Sequence, residues 1–215
     1  MDDEWGELAA SWDVDPNTRR YAELAFGSLC DLLAQADRSL PGSRVLDFGC
    51  GSGLLTEHLA SAGATVHAFD TSVGMLEVLE RKATAGALPG ATILGDIPDV
   101  GDTYDMVVCS SVCAFLDDYP GAVRDLVGTL REGGLLVQWD WERHDTESGS
   151  HGLLRHEIAQ ALEGAGLVGV QVSPSFEIEV AGVLARPLLG YGFAEAHRRA
   201  GQSQTSPSSS SIDFG

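Results

Sequence analysis

The nine residues Val45-Leu46-Asp47-Phe48-Gly49-Cys50-Gly51-Ser52-Gly53 constrain the fold of this 215-residue chain more than any other segment. They read as an apolar strand carrying an acid, a turn with glycine at every second position, and a helix opening at Leu54. Such a corner suits a nucleotide-like ligand. Glycine permits positive φ and lets a ligand approach where a Cβ would block it, and the free N–H groups of the helix start favour negative charge. The dinucleotide fingerprint has the spacing G-x-G-x-x-G and room for a pyrophosphate. Here the spacing is G-x-G-x-G with Asp47 just before it, which suits a ligand with an amino group and no phosphate. A glycine-rich strand-to-helix turn that binds nothing shows the same pattern.

From that corner onward, strand-like and helix-like segments alternate as a doubly wound parallel α/β sheet requires. Thr65–Asp70, Ala91–Gly95, Tyr104–Ser110 and Gly134–Trp139 read as strands two to five. Leu55, Leu59 and Ala62 share one helical face, as do Leu76, Leu79 and Ala83, and Val123, Leu126, Val127 and Leu130. Gly63, Gly86, and Gly133 with Gly134 stand where those helices should stop. Residues 1–42 read as a polar, Trp-containing arm followed by a helix over Arg20–Gln35, a lid over the ligand. Residues 43–199 form the main domain, with a helix over His151–Gly164, extended segments at Val168–Val172 and Phe176–Val180, and a last strand within Leu188–Gly192. Residues 200–215, rich in Ser, Gln, Thr and Pro, read as a disordered tail.

Composition narrows the partners. Thirty-two acids against 13 bases leave a net charge of −19, and Lys82 is the one lysine. Backbone binding of nucleic acid requires a basic face, so nucleic acid is not expected as a partner. No run of about 18 apolar residues predicts a membrane span, and the acidic start Met1-Asp2-Asp3-Glu4 differs from a signal peptide, so a cytoplasmic protein is expected. Cys30, Cys50, Cys109 and Cys113 form no C-x-x-C pair, so neither a metal site nor a disulfide framework is expected. Acidity with so little lysine fits either a salt-rich cytoplasm or a G+C-rich genome.

The corner with its upstream acid resembles the first motif of class I S-adenosylmethionine-dependent methyltransferases, of the small-molecule, type 11-like kind. The resemblance covers roughly Arg44 to Trp141. It implies a Rossmann-like, mostly parallel seven-stranded sheet with the last strand antiparallel and helices on both faces. It also implies S-adenosylmethionine as cofactor, held by Asp47, Gly49, Cys50, Gly51 and Gly53 of the corner. Ligands of open α/β sheets bind at the carboxyl ends of the strands. Asp70 ends strand two, where its carboxylate suits the ribose hydroxyls, or caps the helix after Thr71-Ser72. Asp96 and Ile97 resemble the adenine-contacting motif, and Met75 the residue on the adenine face, although a plain turn and a core methionine fit them too. Thr71 and Ser110 complete the expected cofactor set.

The loop Cys109-Ser110-Ser111-Val112-Cys113-Ala114-Phe115 resembles the family's fourth motif. Many relatives place a histidine near its Ala114 or Phe115, and this chain has none, so no catalytic residue is assigned. A sulfonium is a strong electrophile, and holding donor and nucleophile in line supplies about 7–11 kcal/mol without a base. For the small-molecule acceptor, Trp139 and Trp141 offer an aromatic wall with Asp140 as a polar handle, or ordinary core packing. Strand alternation puts the two tryptophans on one side and Asp140 on the other. Trp12, Arg19 and Tyr21 of the arm are candidates to close over the methionine end. His144 reads as a base or a solvated loop histidine. A non-catalytic binder of the same cofactor is the second reading, supported by the missing histidine. A nucleotide-dependent oxidoreductase is disfavoured by the glycine spacing.

Overall fold

The computed structural model describes residues 3–96, 103–143, 152–180 and 182–195. In chain order these form α1 (Glu4–Trp12), α2 (Pro16–Gln35), β1 (Arg44–Phe48), α3 (Leu54–Ser61), β2 (Thr65–Phe69), α4 (Val73–Thr84), β3 (Ala91–Ile93) and β4 (Tyr104–Ser110). A single 3-10 turn (Cys113–Phe115) leads to α5 (Tyr119–Val127), β5 (Leu130–Trp141), α6 (Arg155–Gly164), β6 (Leu167–Pro174), β7 (Ile178–Val180), β8 (Val183–Ala185) and β9 (Pro187–Ala194).

Seven strands form one sheet in the order β3-β2-β1-β4-β5-β9-β6. β1 to β5 pair in parallel, and β9 inserts antiparallel between β5 and β6. This is the doubly wound sheet expected from the sequence. Its central strands β1, β4 and β5 are covered on both faces, so they are apolar on both sides. On one face Val45, Val66, Met106, Val108, Leu135, Val137 and Trp139 meet α2 and α3 through Leu29, Leu32, Leu55 and Leu59. On the other, Leu46, Val107 and Leu136 meet Val123 and Leu126 of α5 and Ile158 and Leu162 of α6. Each fully buried leucine or isoleucine contributes about 1.5–3 kcal/mol.

Helix starts follow local chemistry. Asp15 accepts from the Asn17 N–H at 2.7 Å with Pro16 opening α2, and Asp118 accepts from the Gly121 N–H at 2.9 Å to open α5. Two expectations need correction here. Leu130, grouped by period with the helix before it, begins β5, because α5 ends at Val127 with Gly128 as its cap. Gly133 and Gly134 consequently sit in an irregular stretch of β5, where the pairing with β4 shifts register between Tyr104 and Met106.

The arm is also more ordered than its polarity suggested. Glu4–Trp12 is a helix opened by Asp3, whose carboxylate accepts from the Gly6 N–H at 2.8 Å. Ala9 and Trp12 pack on Met75 and Val78 of α4. At the other end of the chain, Ile178–Val180 pairs with β8 in a separate two-stranded hairpin instead of joining the main sheet. Ile97, His144 and the Ser-rich tail lie outside the described residues.

Candidate active site

β1 runs through the middle of the sheet and delivers Asp47 to its carboxyl end, where the side chain is fully buried. Asp47 Oδ2 accepts from Thr56 Oγ1 of α3 at 2.6 Å. Its other oxygen, Oδ1, is buried and has no hydrogen-bond partner within the protein. Burial, reinforced by the nearby Asp70 carboxylate, pushes the Asp47 carboxyl up to about 7, although the Thr56 hydrogen bond pulls the other way. The turn that follows is held by the Gly49 and Cys50 N–H groups, which donate to the Phe69 carbonyl at 2.8 and 3.0 Å.

Asp70 lies just beyond β2 against the same turn. Its Oδ2 accepts from the Gly51 N–H at 2.7 Å and its Oδ1 from the Ser72 N–H at 2.8 Å. A carboxylate offers about four lone-pair positions, so one remains on each oxygen for a ligand hydroxyl. Met75 is buried beneath α1, and its sulfur lies 3.9 Å from where a Cβ on Gly51 would stand. The buried Cys50 thiol is held far from ionisation by burial and by the two carboxylates. Thr71 and Asp96 are exposed, and Ser110 is half-buried at the end of β4. Cofactor candidates on β1, its turn, β2 and the start of α4 are thus gathered around one corner.

α1 bridges this corner. Asp3 Oδ2 accepts from the Gly74 N–H at the start of α4 at 3.0 Å. Beyond the far end of the helix, Asp13 takes a hydrogen bond from Ser52 Oγ of the glycine turn and pairs with Lys82 of α4, which also pairs with Glu57 of α3 at 2.6 Å. Trp5 contacts the Phe115 ring edge-on, with centroids 5.0 Å apart. Arg19 is exposed and donates to the Asp13 carbonyl. Trp12 packs on α4 and meets Trp5 edge-on at 5.9 Å.

The aromatic pair on β5 divides in the structure. Trp139 is fully buried against α2 and donates from Nε1 to Ser28 Oγ at 2.8 Å, a core position. Trp141, at the strand end, is half-buried and meets the Tyr21 ring at 5.4 Å, while Phe176 meets Tyr21 at 5.2 Å. Ser111 Oγ donates to the Tyr21 hydroxyl at 2.9 Å. Burial holds that phenol well above its ordinary range. Asp140 faces the α5 side, fully buried, and both its oxygens accept hydrogen bonds within the protein, from the Ala114 N–H and the Gln138 amide, which leaves no open handle for a ligand.

Several contributors were missed in the sequence. Thr56 has a signal, a hydroxyl on the helix face directly after the corner. Asp3, Asp13 and Ser52 carry none, because only the fold brings the arm onto the corner. Among the described residues no cluster of three or more metal-ligating side chains exists, and no helix is long and apolar enough to cross a membrane.

Comparison with known proteins agrees with this geometry. Residues 46–138 match the family model described as a methyltransferase domain. A ubiquinone biosynthesis O-methyltransferase of Methylocella silvestris is 38% identical over 104 residues, covering 47% of this chain and 41% of that protein. The chain thus spans about two fifths of the length of the curated relatives it matches first. Among solved structures, a methyltransferase from Aquifex aeolicus described as SAM-dependent superposes with a TM-score of 0.64 at 19% identity, covering 90% of this chain and 98% of its own. Magnesium protoporphyrin IX methyltransferase from Synechocystis with bound SAM gives 0.61 at 23% identity, covering 82% of each chain. Residues 46–138 are thus similar to a methyltransferase domain, and the sheet with its helices has the fold of solved methyltransferases.

Proposed function

We propose that this protein moves a methyl group from S-adenosylmethionine to a small-molecule acceptor in the cytoplasm. One observation carries the donor half: Asp47 Oδ1 is a buried carboxylate oxygen without a partner, beside a glycine turn. Buried polar atoms are nearly always satisfied, and an unpaired one beside a corner marks the place of a missing cation or donor. The ammonium of the cofactor's methionine end meets that need. Asp70, with one lone pair left on each oxygen, suits the ribose hydroxyls. Met75, Asp96 and Ile97 are assigned to the adenine, and the Gly49–Gly53 turn to the close approach of the ligand backbone.

Bound there, the cofactor supplies an electrophilic methyl on sulfur. What remains for the chain is to orient and to exclude water, which is the larger share of the barrier for such a transfer. α1 covers the corner as a lid, while α2, expected to do so, packs on the face of the sheet. Tyr21, Trp141 and Ser111 face the acceptor from the ends of α2, β5 and β4. The relatives named as ubiquinone biosynthesis O-methyltransferases support a small-molecule acceptor, and the net charge of −19 argues against an RNA one.

Isothermal titration with S-adenosylhomocysteine tests the donor half. Binding by the wild-type protein and a roughly 10- to 100-fold loss in Asp47→Asn are expected, since a charged hydrogen bond is worth about 1.5–3 kcal/mol. No binding at millimolar ligand would end the reading. A second reading, a protein that binds the cofactor without transferring its methyl, draws on the absence of histidine between Cys109 and Asp118. Binding without turnover across a broad acceptor panel would select it.

A further inference from the structure

The segment that follows β4 is gripped from three elements. Ser111 has φ +55, a left-handed conformation that serine keeps only where its surroundings impose it. Its N–H donates to the Trp139 carbonyl of β5 at 2.7 Å, and its hydroxyl to Tyr21 of α2 at 2.9 Å. Three residues on, the Ala114 N–H in the 3-10 turn donates to Asp140 Oδ1 at 3.2 Å. Asp140 Oδ2 accepts from Gln138 Nε2 at 2.9 Å, and Gln138 Oε1 accepts from the Tyr119 hydroxyl of α5 at 2.7 Å. All of Asp140 and Gln138 is buried.

This chain of bonds runs from Tyr119 of α5 through β5 to the loop. An amide at position 140 would also accept from the Ala114 N–H, yet the position holds a carboxylate, whose burial is far more costly. The charge faces no cation among the groups that act on it: the Cys113 thiol and N–H, the Ala114 N–H and the Gln138 amide. Tyr119 and Tyr21 are the other titratable groups that interact with it, and Cys109 hydrogen-bonds to Cys113 beside it. At the outer end of the same loop, Phe115 is 40% exposed and touches Trp5 of α1. The loop therefore connects a buried carboxylate to the helix that covers the donor corner.

We propose that Asp140 is the positioning residue of the acceptor loop, its buried carboxyl holding the turn Cys113–Phe115, and through it Ser111, in the closed arrangement facing the transferred methyl. This rests on the methyltransferase reading for what the loop faces, but the grip itself is a property of the protein alone. Ionisation of this buried carboxyl, which faces no cation, favours its exposure to water, loosens the Ala114 contact and frees the loop to admit an acceptor. Burial pushes the Asp140 carboxyl up to about 7, so the grip is adjustable near neutral pH.

The experiment is hydrogen exchange of the full chain, read on a peptide covering residues 111–116 and corrected for intrinsic rate, from pH 5.5 to 8.5. In the wild-type protein, exchange of this peptide is expected to rise at least tenfold as pH rises through about 7, while peptides of β1 stay protected. Asp140→Asn, which keeps an acceptor for Ala114, should stay protected with no such profile, and Asp140→Ala should exchange fast at every pH. Affinity for S-adenosylhomocysteine should change less than threefold in both variants. A flat wild-type profile, or the same profile in Asp140→Asn, overturns the proposal. So does a fall in S-adenosylhomocysteine affinity that parallels the loop's opening. If Asp140→Ala does not fold, the comparison of wild type with Asp140→Asn decides. Failure of the wild-type protein to bind S-adenosylhomocysteine would instead strike the donor reading, leaving the exchange result to judge Asp140.

Discussion

Two glycines of one turn separate conformational strain from lack of space. Gly49 and Gly51 both have positive φ, +70 and +54. A Cβ on Gly49 would stand 2.4 Å from Val112 Cγ2, whereas one on Gly51 meets only the Met75 sulfur at 3.9 Å. Gly51→Ala should therefore cost the left-handed conformation alone, about 1–2 kcal/mol. Gly49→Ala adds the clash with Val112 and should cost about 2–4 kcal/mol, and it pushes on the acceptor loop. Urea unfolding of the two variants measures the difference. Equal losses would mean that Val112 yields freely and that the turn and the loop are not packed as a unit. Sequence alone showed that this turn needs glycine. Which glycine was crowded, and by what, depended on a valine 63 positions away that only the sheet brings near.

Among elements, what could be read in advance divides along the same line. Strands β1 to β5 and helices α3 to α5 announce themselves through local apolar period and glycine stops, and their places in the sheet follow from βαβ rules. α1 did not, since Asp2, Asp3 and Glu4 made it look like a solvated arm, although Trp5, Leu8, Ala9 and Trp12 repeat at helical spacing. The split of Trp139 from the expected aromatic wall has a similar cause: alternation gave its side of the sheet correctly, but not that α2 covers that side. A test of α1 follows from its packing. A Cβ on Gly74 would stand 2.5 Å from the Gly6 Cα, backbone against which nothing can swing away. Gly74→Ala should lift α1 from α4, break the Asp3 contact and uncover Trp5 and Trp12 without touching the glycine turn. Trypsin should cut after Arg19 or Arg20 several-fold faster, with tryptophan fluorescence shifted to the red, and bound S-adenosylhomocysteine should dissociate faster. Unchanged cleavage and dissociation would show that α1 is no cover.

At the scale of the whole molecule, two buried carboxyls oppose the usual acid response. Asp47 and Asp140 are each pushed from 3.8 up to about 7 by burial, so the native state binds their protons more tightly than the unfolded chain does. The linkage has a definite sign: their stabilising contribution is complete below about pH 4 and is lost as pH rises through about 7. A net charge of −19 acts in the same direction, because repulsion among acids also grows with pH. Salt separates the two, since it screens surface charges and scarcely reaches a buried carboxyl. Without ligand, the thermal midpoint should therefore fall from pH 5.5 to 7.5 by a few degrees per unit, at about 2–4 °C per kcal/mol for a chain of this size. In molar KCl part of that slope should disappear and part remain, and the remaining part should vanish in the double variant Asp47→Asn/Asp140→Asn. S-adenosylhomocysteine adds a further constraint. Its ammonium selects the ionised form of Asp47, so binding releases a proton and the ligand's stabilisation should grow between pH 6 and 8. A midpoint that climbs with pH in high salt, or a ligand effect independent of pH, would mean that Asp47 is already ionised in the free protein and that its unpaired oxygen is satisfied by something other than the cofactor.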